Sequence, residues 1–390
     1  PQTAESFSGV LAGGGALLSA LQGSPDVAAR ECHPAATRRH DIDPETGIIS
    51  SMEFTHHTEF PYEMATEWNA LLAESATHVP FLRCEYLADW WATRGGGEWP
   101  DDSLLAIITA REDGRLIGIA PLFIASHEDK KKLLLLGSIE ISDYLDVICR
   151  AEEINRFLHG LLRFIREQFV ATGQITGLDL YNIIEDSPTL KALEESAKTL
   201  DLEMRVRKLQ HSPFIPLPGN WETYLERLEK KQRHEIRRKM RRALEGDAQV
   251  KLYFTQDEGN LEDDMEDFLE LMAQDEAKED FLSPMMREQM KSVMRCAFAQ
   301  DCLQLAFLEI GGQKAAAYLS FDFLNRIWVY NSGIDRRYME YSPGWVLLGY
   351  LLKWANENGR ETFDFMRGNE DYKYKFGALD RFVMRASLEF

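Results

Sequence analysis

The chain is 390 residues long, 45% hydrophobic, and carries a formal net charge of -20. That length accommodates two domains of ordinary size; the acidity argues against a general nucleic-acid coat and against DNA as a partner; and no apolar run reaches the roughly 18 residues that a membrane-spanning helix needs. Its five cysteines (Cys32, Cys84, Cys149, Cys296, Cys302) are scattered, with neither metal-ligand spacing nor the density of a secreted disulfide scaffold, so a soluble cytoplasmic protein is expected.

Residues 1–51 combine Gly-Gly-Gly, alanine-rich and proline-containing stretches and read as a disordered N-terminal extension. Met52 as a natural start and a plain flexible tail both stay open, and Leu11 to Leu21 is too short and lacks the basic lead-in of a secretory signal. Further on, Leu104 to Ile108 has a buried-strand pattern, Glu112-Asp113-Gly114-Arg115 a hairpin turn, and Leu116 to Ile124 a return strand. Lys132 to Leu136 predicts a third strand, Glu153 to Phe169 a helix, and Leu178-Asp179-Leu180 a short closing strand.

His211 to Pro218 must be extended, because each of its prolines restrains the residue before it. Trp221, Tyr224, Leu225 and Leu228 recur at helical spacing and Gly246 offers a stop, which predicts one helix whose second half, Lys230 to Arg242, is the densest positive charge in the chain. The earlier plan then repeats. Leu303 to Ile310, a Gly311-Gly312 turn, Ala315 to Phe323 and Arg326 to Tyr330 predict three strands, followed by a helix from Pro343 to Asn356 and a closing strand Phe363-Asp364-Phe365. Asp179 and Asp364 hold matching places. The repeated order implies an internal duplication in an α/β arrangement, with domains at 52–210 and 211–390, the second opening with the basic helix 221–246.

Several of these stretches resemble a known family. Ser142-Asp143-Tyr144-Leu145-Asp146, Glu185 to Leu190, Lys231 to Lys239, Tyr330-Asn331-Ser332-Gly333, Ser342-Pro343-Gly344, and Phe363 to Gly368 with Tyr372 to Gly377 look like the bacterial cellulose-biosynthesis acetyltransferases of the CelD type, a branch of the GNAT superfamily related to the Fem-type aminoacyltransferases. The resemblance runs from about Phe54 to the C-terminus. It implies tandem GNAT-like domains, each a mixed, mostly antiparallel sheet flanked by helices, with acetyl-CoA or another acyl-CoA as donor substrate and a role in exopolysaccharide or envelope biosynthesis. The superfamily's Gln/Arg-x-x-Gly-x-Gly/Ala loop is replaced here by Arg336 to Gly344, so aminoacyl-tRNA stays open as the alternative donor.

The candidate site follows from that arrangement. Ser342, Pro343, Gly344 and Trp345 open a helix whose first free N–H groups can hold phosphate, with Arg336 and Arg337 adding charge beside it. Asp364 is a candidate general base for an acceptor amine or hydroxyl, and Tyr330 and Asn331 could polarise a thioester carbonyl or protonate the leaving thiolate. Tyr372, counted with the catalytic candidates, precedes Lys373 and Lys375, which offer charge to phosphate or acceptor, although a solvated terminal strand accounts for the same pattern. Asp143, Tyr144, Asp146 and Arg367 are expected to hold the acceptor, with Arg233 and Arg237 on the basic helix facing an anionic partner.

The histidines form no metal-ligand grouping, so no metal is expected. A small-molecule or lipid-linked sugar is the expected acceptor. Peripheral membrane contact, tRNA in the aminoacyl alternative, and a non-catalytic role in an exopolysaccharide synthesis complex stay open.

Overall fold

The computed structural model describes residues 52–245 and 249–390, with three short strand segments upstream at 36–38, 41–42 and 49–50. The extension expected over 1–51 otherwise lies outside the described residues, as does Gly246. Helices cover mixed, mostly antiparallel sheets in an α/β arrangement.

In the first half, Ile107–Glu112 and Arg115–Ala120 form a hairpin about Asp113 and Gly114, whose φ angles of 49° and 81° suit a tight turn. The return strand predicted over Leu116 to Ile124 is two strands. Pro121 lacks the N–H a continuing ladder needs, and beyond it Leu122–His127 leaves the first sheet to pair with Lys130–Leu135 in a second. Helix Ile154–Ile165 then leads to Gly177–Ile184, which runs parallel to Lys132–Leu134 for three residue pairs.

The second half builds a six-stranded sheet in the order Phe214–Pro216, Thr362–Asp364, Arg326–Ile334, Gln313–Phe323, Leu303–Ile310, Val250–Phe254. Here too, the closing strand is parallel to the third strand over three pairs. One face packs against helix Pro343–Glu357, whose Val346, Leu347, Leu348, Leu351 and Leu352 are fully buried. The other face packs against helices Glu258–Met272 and Pro284–Ala299 through Met265, Phe268, Leu269 and Met294. These two helices belong to a stretch of the sequence without a motif.

Two features depart from expectation. The basic helix is broken: Asn220 caps Trp221–Arg227 by accepting from the Thr223 N–H at 3.0 Å, Leu228 is extended (ψ 154°), and a second helix runs over Lys230–Glu245. The last strand, Phe382–Glu389, sits between Glu203–His211 and Gly177–Ile184 in a first-half sheet, so the chain crosses back over the expected boundary at 210/211. Among the described residues, no helix is long and apolar enough to cross a membrane.

Candidate functional site

Strand Arg326–Ile334 pairs with Thr362–Asp364 at Arg326↔Thr362, Ile327↔Phe363 and Trp328↔Asp364, and there the two part. Met366, with φ 54°, turns the closing strand away, and its N–H donates to Asp364 Oδ1 at 2.8 Å. On that side the backbone from Val329 onward has no neighbouring strand. On the other side the ladder passes from Ser320↔Val329 to Leu319↔Asn331, leaving Tyr330 as a bulge with no cross-strand partner. Divergence and bulge together leave main-chain hydrogen-bonding groups for a ligand.

A cavity of about 350 Å³ occupies the divergence. Val329, Tyr330, Asn331 and Ser332 form one wall, Phe365, Arg367, Tyr372 and Lys373 the opposite one, and Glu140, Ile141 and Asp143 reach in from the first half. A second cavity of about 300 Å³ continues along Ser332, Gly333 and Ile334 to Arg336 and Met339. Met272, Lys278 and Ser332 line both.

Most of the charge around the first cavity is committed to the protein. Arg367 donates from Nε to Asp143 Oδ1 at 2.7 Å, from its N–H to Oδ2 at 3.2 Å and from Nη1 to the Ile139 carbonyl at 3.2 Å, which ties the 139–143 loop to the second half. The buried Lys373 ammonium donates to the carbonyls of Arg367 at 2.9 Å and Gly368 at 3.1 Å and pairs with Glu370 at 2.9 Å. Tyr330 donates its hydroxyl to the Ile141 carbonyl at 2.7 Å; burial, with Asp143 adding, raises its phenol well above the ordinary tyrosine value, so it stays protonated. Burial also raises Tyr372, beside Tyr318 and Glu370. Lys278 keeps more of its capacity: one donor goes to the Ser332 carbonyl at 2.6 Å, and burial lowers its pKa from the usual lysine value against the opposing pull of Asp275 and Glu370.

The matching divergence in the first half is filled. Asn182 donates its side-chain amide to the carbonyls of Ile139 and Ser142, each at 2.8 Å, and its main-chain carbonyl accepts from the Leu145 N–H at 2.9 Å. Segment 139–145 is thereby drawn into the space that stays open in the second half. One open cleft of this kind remains among the described residues.

The structure brings Asp143, Tyr330, Asn331, Arg367, Tyr372 and Lys373 together at the first cavity and places Arg336 on the second. Asp364 requires a correction. It is 1% exposed, lines neither cavity, and its carboxylate accepts from Tyr144 Oη at 2.7 Å, Arg381 Nη2 at 2.6 Å and the Met366 N–H, so it is enclosed by these donors away from both cavities, where an acceptor's proton would not reach it. Tyr144 and Asp146 are also buried away from the cavities. Tyr144 is spent on Asp364, and Asp146 accepts from Thr77 Oγ1 at 2.7 Å, Ser187 Oγ at 2.5 Å and the Val147 N–H at 2.8 Å.

Ser342, Pro343, Gly344 and Trp345 do open a helix, but they line neither cavity. Pro343 and Gly344 are buried, and the Trp345 ring packs on Phe376 at 4.7 Å between centroids. Arg337 folds back onto Asp335, with Nη2 to Oδ2 at 2.6 Å. Arg233 donates to the Glu226 carbonyl at 3.5 Å and Arg237 pairs with Glu222, while Lys375 is exposed and lies off both cavities. Their helix flanks the start of Pro343–Glu357, where Lys239 Nζ lies 4.3 Å from the Trp345 ring centroid.

Among the described residues, one His/Asp/Glu group is close enough to share a metal: His127, Glu128 and Asp179. Its carboxylates are already met by Arg385 and Lys132, which disfavours a cation there. Of the four described cysteines Cys84, Cys149 and Cys302 are buried and Cys296 is half-buried; their thiols are pushed up to about 12 at Cys84, Cys149 and Cys296 and about 11 at Cys302, chiefly by desolvation, and none has thiolate character.

Residues 230–374, which contain the second-half walls of both cavities, match the family model described as an acetyltransferase (GNAT) domain. The fold is similar to the crystal structure of FemX, with a TM-score of 0.60 at 11% identity over 83% of this chain and 95% of that one. It is also similar to a conserved protein of unknown function from Bacteroides thetaiotaomicron VPI-5482, with a TM-score of 0.55 at 11% identity over 86% of this chain and 99% of that one. Among curated proteins none matches the chain in sequence.

Proposed function

We propose that the protein is a GNAT-type acyltransferase that moves an acetyl or similar acyl group from acyl-CoA to an amine or hydroxyl of a polysaccharide or envelope precursor. One observation carries the reading: the strand edge Val329 to Ile334 lies open along two joined cavities that end at Arg336. An extended carrier arm with amide groups would hydrogen-bond to such an edge as an added strand does. Its phosphates would then fall toward Arg336, and its acyl end beside Tyr330. Transfer would be direct attack on the thioester, helped by positioning and by polarising the carbonyl, with no covalent enzyme intermediate. Tyr330 and Asn331 flank the reacting group, Tyr372 and Asp143 shape the acceptor side, and Arg367 and Lys373 hold those walls in place.

Calorimetry with acetyl-CoA, desulfo-CoA and deacylated tRNA tests the proposal. Binding of both coenzyme A forms, weakened in Arg336→Ala, is the expected outcome. Salt-sensitive binding of tRNA alone would replace the donor with an aminoacyl carrier, and binding of none would leave a non-catalytic role.

A further inference from the structure

Lys278 belongs to no motif in the sequence, yet it stands where the two cavities meet. It projects from the short helix Glu276–Phe281, whose first turn is capped by Asp275 accepting from the Lys278 N–H at 3.3 Å. Its ammonium is fixed by the Ser332 carbonyl at 2.6 Å, two residues beyond the Tyr330 bulge. An ammonium has three donors, and this single bond leaves others for the cavities. Three neighbouring groups are spent: Arg367 on Asp143 and two carbonyls, Lys373 on carbonyls and Glu370, Tyr330 on Ile141. Among the described residues, Lys278 is the one cation that lines both cavities.

We propose that Lys278 is a catalytic residue that donates a hydrogen bond to the carbonyl oxygen of the donor's acyl group and stabilises the negative charge formed there during transfer. The inference rests on the acyl-CoA reading above. As the acceptor's nitrogen or oxygen bonds to the acyl carbon, the carbonyl π pair moves onto oxygen, beside the ammonium. The pair returns as the carbon–sulfur bond breaks and the sulfur leaves with the bonding electrons. The proton the acceptor loses equals the one the thiolate takes up, and Lys278 keeps its own protons throughout. A fixed donor in a partly buried site is suited to charge that exists only in the transition state.

The test uses the full chain and acetyl-CoA labelled with ¹³C at the thioester carbonyl. Isotope-edited infrared spectroscopy should show the carbonyl band shifted to lower frequency on binding to the wild type, with the shift lost in Lys278→Met and largely kept in Lys278→Arg. Calorimetric affinity should change little in either variant. Cleavage of the bound thioester by hydroxylamine should fall on the order of 100-fold in Lys278→Met and much less in Lys278→Arg, since arginine can donate but cannot act as a base. An unchanged band and rate in Lys278→Met overturn the inference while leaving the donor reading intact. An arginine variant as impaired as the methionine variant also overturns it, because a proton-carrying lysine would then be required. A wild type that binds no acetyl-CoA removes the donor reading and this inference with it.

Discussion

Replacing Asp364 by asparagine distinguishes a structural carboxylate from a catalytic one. The side chain is 1% exposed and accepts from Tyr144, Arg381 and the Met366 N–H at 2.6–2.8 Å. Asparagine retains an oxygen at Oδ1 for Tyr144 and Met366, but turns an N–H₂ group toward the Arg381 guanidinium, leaving that cation buried without its partner. Breaking a buried ion pair from one side costs about 3–5 kcal/mol, so urea unfolding of Asp364→Asn should shift to a much lower midpoint. The double variant Asp364→Leu/Arg381→Met, which removes both charges, should recover much of that loss, since an apolar pair of similar volume is often neutral. Acetyl-CoA affinity, measured where each variant is folded, should match the wild type because the carboxylate lines neither cavity. The reasoning is refuted if Asp364→Asn is as stable as the wild type while thioester transfer collapses.

Two further perturbations probe the walls of the site. A Cβ on Gly333 would lie 2.4 Å from backbone atoms of Leu271 and Met272, so Gly333→Ala must push helix Glu258–Met272 off the strand; a loss of about 1–3 kcal/mol and weaker acetyl-CoA binding are expected in thermal unfolding and calorimetry. Burial pushes the Glu98 carboxyl up to about 7 from the usual 4.5, although the N–H groups of Ile139 and Glu140 oppose the rise. Because the folded-state value is raised, this group's contribution is fully present below about 4.5 and lost as pH rises through about 7. Wild-type urea midpoints should therefore decline over that window, and Glu98→Gln, which stays neutral, should flatten the decline; parallel profiles would contradict it.

Much of the second half was legible because its signals are local. Leu303 to Phe323 alternates about a Gly-Gly turn, and Pro343 starts a helix as its fixed φ predicts; both appear within a few residues of their expected bounds. What escaped depends on contacts between distant segments. Nothing local in Phe382–Glu389 says that it pairs beside Gly177–Ile184, and the break at Leu228 falls within a helical repeat. The site divides in the same way. Tyr330, Asn331, Arg367 and Tyr372 sit in motifs and do reach the cavity, whereas Asp364, Tyr144 and Asp146 have the side chains of acid–base chemistry and are consumed in buried pairing. Residue type cannot separate these uses; only the partners do. Lys278 was missed for the converse reason, as an ordinary lysine among acidic helices that gains its meaning from the Ser332 carbonyl and the two cavities it joins.

The central claim is that the carrier lies along the open edge of the second-half strand rather than in the filled space of the first. Hydrogen–deuterium exchange of the full chain with and without acetyl-CoA tests this most directly. The account predicts slowed exchange at amides between Val329 and Ile334 and at Lys278, with segment 139–145 little changed. Protection centred on Asn182 and Ser142 instead, with Val329 to Ile334 exchanging as in the free protein, would contradict it.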